Sequence, residues 1–441
     1  MSETAREQAA SPARVQESPR VGKAGSLIRT VLGIAFEYYD FTVFAIFAPF
    51  FASQFFVKGD QVAATLSALL VFAVGFAFRP LGALFFGWYA DRKGRKGAMV
   101  LAMTVTASGS LLIGLSPTHA AIGTLAAVLL AVARILQGFG HGGESAGAYS
   151  YISEVSPPQR RGLWASMIPV ALMIGIFMAT LLGATLTTVL DSEAMADWGW
   201  RVPFIVGALL GFFALWLRRG LTESEAFEKA KEQRDSDSTA LGFFGGMWAQ
   251  RSNILRVIAL TSGVTVAFYT WGVNAPAYAI STQGADSHVA LWAGLIAQVV
   301  YILALPLWGA LSDRRGRRPN FIVFGITMAA LAFPLTWVMG GEGWRITISM
   351  AIALTMISAA MSIDPAYFAE LFPTRVRASG LAFPYAMGIA FFGGTAPYLH
   401  TWMADRGTEW MFTAYSILLF LVTVFAATRS PETVGKDLVD D

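Results

Sequence analysis

The chain has 441 residues, 55% of them hydrophobic and only 14% charged, and a formal net charge of +3. A soluble globular chain has about 25% charged residues, so this composition excludes a soluble domain and turns most of the surface toward lipid. With no cysteine in the sequence, disulfides, thiolate catalysis and cysteine-bound metal are excluded too.

Residues 1–27 are rich in Ala, Ser, Pro and Arg and have no apolar core, so they read as a disordered cytoplasmic tail and not a signal peptide. Six apolar runs follow, at about 30–53, 62–90, 97–116, 121–152, 163–189 and 200–217. Six more lie at about 256–280, 289–312, 320–340, 345–370, 379–403 and 409–428. Each reaches or approaches the ~20 residues that carry a helix across a ~30 Å hydrocarbon core. None alternates at period two as a barrel strand would. The expected fold is an all-α membrane protein of twelve transmembrane helices, with one six-helix bundle at 28–217 and a second at 256–428. Residues 218–255 read as a cytoplasmic central loop, partly helical around Glu223–Arg234, and 429–441 as a cytoplasmic C-terminal tail.

Two motifs occur twice. The pattern G-x-x-x-D-R-[KR]-G-R-[KR] starts at Gly87 and again at Gly309, and Glu154-x-x-Pro157-x-x-x-Arg161 returns as Glu370-x-x-Pro373-x-x-x-Arg377. The offsets, 222 and 216 residues, nearly agree, which marks two similar halves joined head to tail. Parallel repeats of this kind build transporters that rock about a central site. Of the 32 Lys and Arg, 26 fall on the side that holds both termini and four on the other. The positive-inside rule then sets both termini and the central loop in the cytoplasm. Basic residues gathered at a membrane surface give no footprint for nucleic acid.

The repeated motifs place Asp91, Arg92, Arg95, Asp313, Arg314 and Arg317 on the cytoplasmic face, together with Glu154, Arg161, Glu370 and Arg377. Carboxylates and guanidiniums at helix ends can form charge-assisted hydrogen bonds. Such a layer could latch one conformation shut; the plainer alternative is that the basic residues anchor loops.

Charges inside the spans need a reason, because each costs about 2.5–3.5 kcal/mol even on the lenient insertion scale. They are Glu37 and Asp40 in span 1, Arg79 in span 2, Arg134 and Glu144 in span 4, and Asp364 in span 10. In span 4, Arg134, Gln137, His141 and Glu144 share one helical face, a stripe that must avoid lipid. At ~1.5 Å of rise per residue, Glu37, Asp40, Arg79 and Glu144 sit at similar central depth, with Arg134 about 15 Å further out. Three carboxylates facing one arginine leave excess negative charge unless a proton binds, which is the argument for proton coupling. Asp40 or Glu37 is the expected coupling carboxylate, Glu144 its neighbour, and Arg79 the cation that a carboxylate or an anionic substrate can claim. A fixed salt-bridge network that merely joins helices is the alternative. Asp364 lies close in sequence to Glu370 and fits either the gate or the central site.

These residues carry a resemblance. The chain is similar to the major facilitator superfamily, whose signature is the loop after spans 2 and 8, and within it to the metabolite:proton symporters, which include α-ketoglutarate, citrate, shikimate and proline/betaine permeases. The carrying segments are Glu37-Tyr38-Tyr39-Asp40-Phe41, Arg79-Pro80-Leu81-Gly82, Arg134-x-x-Gln137-Gly138 with Gly142-Gly143-Glu144, Trp198-Gly199-Trp200-Arg201-x-Pro203-Phe204, and Glu370-x-Phe372-Pro373-Thr374-x-x-Arg377. The resemblance implies a monomer in the plasma (inner) membrane of a bacterium that carries a small substrate together with a proton. It also implies a pairing of the span-1 acid with Arg134, as in related proton-driven sugar porters. The segments look nearest to α-ketoglutarate permeases, with proline or betaine uptake as the alternative.

Substrate-facing candidates are Arg79, Arg134, Gln137 and His141 from the first half, and Tyr269, Asn274, Gln298 and Tyr301 from the second. Each of the second-half residues fits helix packing as well as ligand contact. Pro276 and Pro384 mark expected helix breaks. Gly138-Phe139-Gly140-His141-Gly142-Gly143 matches G-x-G-x-x-G but lies inside a span, so it reads as small-residue helix packing and not a cofactor loop. No cofactor and no metal are expected. No P-loop is present, so a gradient has to supply the energy. A polytopic enzyme lacks a nucleophile set, and a transport-dead receptor lacks an output domain.

Overall fold

In lipid every backbone polar group has to be satisfied within the chain, and a helix does this residue by residue. The computed structural model describes residues 21–56, 61–93, 95–142, 149, 152–153, 156–219, 249–373 and 377–436; among them every regular element is helical. Ten stretches among the described residues are long and apolar enough to cross a membrane. They are spans 1 (Val31–Phe55), 2 (Val62–Phe86), 3 (Gly97–Leu115), 5 (Pro158–Val189), 6 (Gly199–Trp216) and 7 (Arg251–Thr282). Spans 8 (Ser287–Arg315), 9 (Arg318–Val338), 10 (Gly343–Leu371) and 12 (Glu409–Arg429) complete the set. Span 4 is the shorter apolar helix Leu125–His141. Span 11 runs through Arg377–Gly388, Ile389–Gly393 and Ala396–Asp405. The result is the expected twelve-helix fold of two six-helix bundles.

Differences from the sequence reading are local. The first helix begins at Val21, inside the segment read as a tail. The central loop's helical stretch at Glu223–Arg234 lies outside the described residues. Span 7 widens into a π-helical turn at Phe268–Asn274 just before Pro276, as its proline predicts. Pro384, by contrast, sits within the unbroken helix Arg377–Gly388, and span 11 widens later, at Ile389–Gly393. A proline inside a membrane helix is tolerated where neighbouring groups take over the freed carbonyl, so it marks a break without guaranteeing one.

Two further breaks position charged groups. Span 2 is divided into Gln61–Ala77 and Arg79–Lys93, with Pro80 as the second residue of the new helix. Pro80 has no N–H to offer the preceding turn, and Arg79 stands at the discontinuity. Span 10 breaks after Met361 and restarts as Asp364–Leu371, with Pro365 second.

Small residues set the spacing between helices. A Cβ on Gly138 would collide with the Gly75 carbonyl, and one on Gly109 would lie 2.8 Å from the Ala133 oxygen, so span 4 is in backbone contact with spans 2 and 3. The G-x-G-x-x-G match is therefore a packing surface, as read. The two bundles meet along spans 5 and 8. Gly162 faces Gly309 at the end that carries the repeated motifs, Gln298 donates to Thr180 at 3.1 Å midway, and Trp292 donates to Thr188 at 3.3 Å at the other end. The Tyr149 and Tyr385 hydroxyls share a 2.6 Å hydrogen bond, and Ser153 donates to the Pro365 carbonyl at 3.1 Å, joining span 4 to spans 11 and 10. The bundles thus touch on both sides of the middle.

Candidate functional site

Span 1 presents Glu37 and Asp40 one turn apart, on one face and both buried. Asp40 is held by neutral donors. The Ser110 hydroxyl of span 3 donates to its Oδ1, and the Gln137 amide of span 4 donates to Oδ2 at 3.1 Å. Gln137 also donates to Ser110 at 2.6 Å, while its Oε1 accepts from Arg134 Nη1 at 2.7 Å. His141, one turn further, stands between the two acids, with Nδ1 3.2 Å from Glu37 and Nε2 3.9 Å from Asp40. Among the described residues, no ion pair within 4.0 Å joins Asp40 to an arginine.

Both arginines lie against aromatic rings instead. The Arg79 guanidinium carbon is 3.9 Å from the Phe41 ring centre and 4.6 Å from that of Phe76. Arg134 is 4.3, 4.5 and 5.0 Å from Phe41, Phe44 and Phe72. A desolvated cation over an aromatic face gains about 2 kcal/mol, which offsets part of the burial cost. Arg79 nevertheless leaves Nε and Nη2 without a hydrogen-bond partner.

This corrects two parts of the depth arithmetic. Arg134 joins the cluster instead of sitting a further ~15 Å out. Asp40 is level with Gln137, and the arginine side chain closes the last turn. The charge balance changes with it. Among described side chains, two carboxylates and a histidine share the cluster with two guanidiniums, one guanidinium more than the depth arithmetic placed there. Glu144 lies outside the described residues.

From the second half, Tyr269 packs edge-on against Phe76 with ring centres 5.1 Å apart, and Asn274 ends the widened turn of span 7. The Asn274 amide nitrogen, Gln298 Oε1, the Tyr301 hydroxyl and Asp364 Oδ1 are all buried without a hydrogen-bond partner. Asp364 is buried at the start of the helix Asp364–Leu371, within electrostatic reach of the Tyr149, Tyr301 and Tyr385 hydroxyls.

At the motif end, Glu370 accepts from Arg161 at 3.0 Å, from Arg317 at 3.3 Å and from Thr433 at 2.6 Å. Asp313 accepts from Arg317 at 2.8 Å and from the backbone N–H groups of Gly162 and Leu163 at 2.7 and 3.0 Å. Those N–H groups open the helix Arg161–Ala165, so Asp313 caps the first turn leading into span 5 from the other bundle. Arg314 is exposed and outside this cluster. Asp91, Arg92, Arg95 and Arg377 are in helices whose side chains there lie outside the described set, and Glu154 is outside it altogether.

A family model described as "Sugar (and other) transporter" matches residues 26–245, and one described as "Major Facilitator Superfamily" matches residues 260–438. The chain is 35% identical to the alpha-ketoglutarate permease of Escherichia coli (strain K12), over 88% of this chain and 90% of that protein. The chain belongs to the major facilitator superfamily. The citrate-proton symporter of Klebsiella pneumoniae is 30% identical over 95% of each chain. The fold matches that of XylE, a proton:xylose symporter of the superfamily, with a TM-score of 0.73 at 18% identity, covering 93% of this chain and 96% of that one.

As a major facilitator the protein is a transporter and not an enzyme. The site contains groups that the sequence reading passed over. Ser110 is one of four hydroxyl residues in span 3, with Thr104, Thr106 and Ser108, and nothing in the sequence singles it out among them. Phe41, next to Asp40, has no polar signal. The segment after span 12, expected as a cytoplasmic C-terminal tail, is described as far as Lys436. Its described residues fold back onto the motif cluster, with Thr433 on Glu370, the Lys436 carbonyl accepting from Arg161 at 2.8 Å, and the Glu432 carboxylate accepting from the Arg317 N–H at 2.7 Å.

Proposed function

We propose that this facilitator is a proton-coupled symporter of a small organic carboxylate, with α-ketoglutarate the first candidate. It works by alternating access in a bacterial inner membrane, with the motif face and both termini in the cytoplasm. The observation that carries the substrate class is Arg79. It is 4% exposed, and two of its guanidinium nitrogens have no partner. A buried cation left in this state costs several kcal/mol, and a carboxylate would meet it with charge-assisted hydrogen bonds. Tyr269, Asn274, Gln298 and Tyr301 would surround the rest of the substrate, between residues 28–217 and 256–428.

Coupling rests on Asp40 and Glu37, with Glu144 as the third candidate acid in the sequence. Because Asp40 is bonded to Ser110 and Gln137 and not paired with an arginine, it can change protonation without breaking a salt bridge to a permanent cation. In this reading Arg134, Gln137 and His141 hold the coupling acids and do not contact substrate first. The Asp313–Arg317–Glu370–Arg161 network is the cytoplasmic latch, which opens as the bundles rock. A compatible solute such as proline or betaine fits less well, because its ammonium group would face two guanidiniums.

The test is uptake into proteoliposomes under an inward proton gradient, comparing α-ketoglutarate, citrate, shikimate, proline and betaine. Accumulation of a carboxylate that a protonophore abolishes supports the reading. Accumulation of betaine or proline alone would remove the substrate class, and uptake indifferent to the proton gradient would remove coupling.

A further inference from the structure

Asp40 and Glu37 stand between a packed cluster and a cleft. Toward the second bundle lie Phe41, Arg79, Phe76 and Tyr269. On the other side is a cleft enclosed by the first bundle alone, bordered by Glu37, Asp40 and His141, by Thr106 and Ala107 of span 3, and by Gly211 of span 6. No residue of the second half lines it. Its empty space is about 400 Å³, with room in its confined part for about two water molecules.

We propose that this cleft is the proton's own route to the coupling acids, separate from the substrate's. The inference rests on the proton-symport reading above and adds where the proton enters. Three features support it. Glycines 140, 207 and 211 line the cleft and bring its walls close to the acids and to span 3: a Cβ at Gly207 would lie 2.6 Å from Asp40 Oδ1 and one at Gly211 2.8 Å from the Ala107 Cβ. The Thr106 hydroxyl gives water a polar foothold on an otherwise apolar wall. The acids are presented in series, with Asp40 and Glu37 on either side of the His141 ring at 3.9 and 3.2 Å. A hydronium ion in the cleft gives its proton to Asp40 and leaves as water, and His141 can then accept that proton at Nε2 and release one from Nδ1 to Glu37. Other charged or polar groups facing the acids are Arg134 and Gln137 from span 4, Ser110 from span 3, Tyr39 from span 1 and Tyr269 from span 7, with Arg79 of span 2 beside Tyr269.

Separate routes have a functional consequence. Blocking the cleft should stop proton-driven accumulation and leave substrate exchange intact, because exchange needs no net proton movement. The cysteine-free sequence allows a direct test. Thr106→Cys is treated with 2-aminoethyl methanethiosulfonate, a small cation, and labelling is read by mass. α-Ketoglutarate transport is then measured both as gradient-driven uptake and as counterflow without a gradient. The expected result is labelling, at least a tenfold loss of driven uptake, and counterflow within twofold of the unlabelled protein. Absence of labelling in the folded protein would overturn the route, as would labelling that leaves driven uptake intact or lowers both activities together. Ala107→Leu, which fills the same space without chemistry, should reproduce the split. If the wild-type protein does not carry α-ketoglutarate, the substrate reading fails. The route is then still tested by labelling alone, and absence of Thr106→Cys labelling in the folded protein would overturn it.

Discussion

Gln137 donates its amide to Asp40 at 3.1 Å, so a neutral group occupies the place where an ion pair with arginine was expected. Breaking a buried ion pair by removing one partner costs about 3–5 kcal/mol, which would oppose a carboxylate that has to load and unload a proton in every cycle. A neutral donor imposes no such barrier. Arg134 is kept one side chain away, on the far end of the same Gln137 amide.

Asp40→Asn should therefore uncouple the protein without unfolding it. The asparagine oxygen can still accept from Ser110 or Gln137, so the loss of stability should stay within about 1 kcal/mol, read as a melting-temperature shift of a few degrees. Gradient-driven uptake should fall at least tenfold, while counterflow persists. Normal driven uptake by this variant would move coupling to Glu37 or Glu144.

Arg79→Ala should abolish carboxylate recognition. A hydrogen bond to a charged group contributes about 1.5–3 kcal/mol, so losing the interaction should weaken binding by roughly 10- to 100-fold. Because Arg79 has unmet donors, its removal should leave thermal stability in the absence of substrate unchanged or higher. The check is a thermal-shift titration with α-ketoglutarate. A wild-type-like response in the variant would exclude Arg79 from the site.

Glu370→Gln removes the charge shared by Arg161 and Arg317, two guanidiniums buried in the same network. The expected outcome is a shift toward the state open at the motif face. Spin labels at Gln159 and Arg315, both exposed at that face, should report a longer mean distance by pulsed electron resonance. Unchanged distances would leave the network as topological anchoring alone.

Gly162→Leu tests the same closure through shape. A Cβ at Gly162 would lie 2.7 Å from the Gly309 carbonyl oxygen and 2.9 Å from Asp313 Oδ1, so the closed seam admits no side chain there. The variant should lower accumulation at least tenfold and lengthen the same spin-label distance. Wild-type accumulation would mean that the seam is looser than its backbone contact implies.

Much of the architecture was legible because it is written locally. A run of apolar residues states its own membrane preference, and the repeats at Gly87 and Gly309 state the duplication without reference to any contact. The polar stripe of span 4 was legible for the same reason, since helical periodicity puts Arg134, Gln137 and His141 on one face. The depth of Arg134 was not. That estimate assumed Glu144 to be level with Asp40, whereas the close packing of span 4 on spans 2 and 3 sets Gln137 there. Pro384 misled because a proline's effect depends on neighbours that a single span does not reveal.

Hydropathy, basic-residue placement and internal repetition thus specified a duplicated helical membrane carrier and the acids and arginines at its centre, because each depends on residues adjacent in the chain or on one helix face. Which donor meets which acid came from helix tilt and register, set by glycine-mediated contacts between distant segments. Ser110 reaches Asp40 across 70 positions, and Thr433 reaches Glu370 across 63. Such pairings are energies of the packed whole, and no single stretch of the chain encodes them.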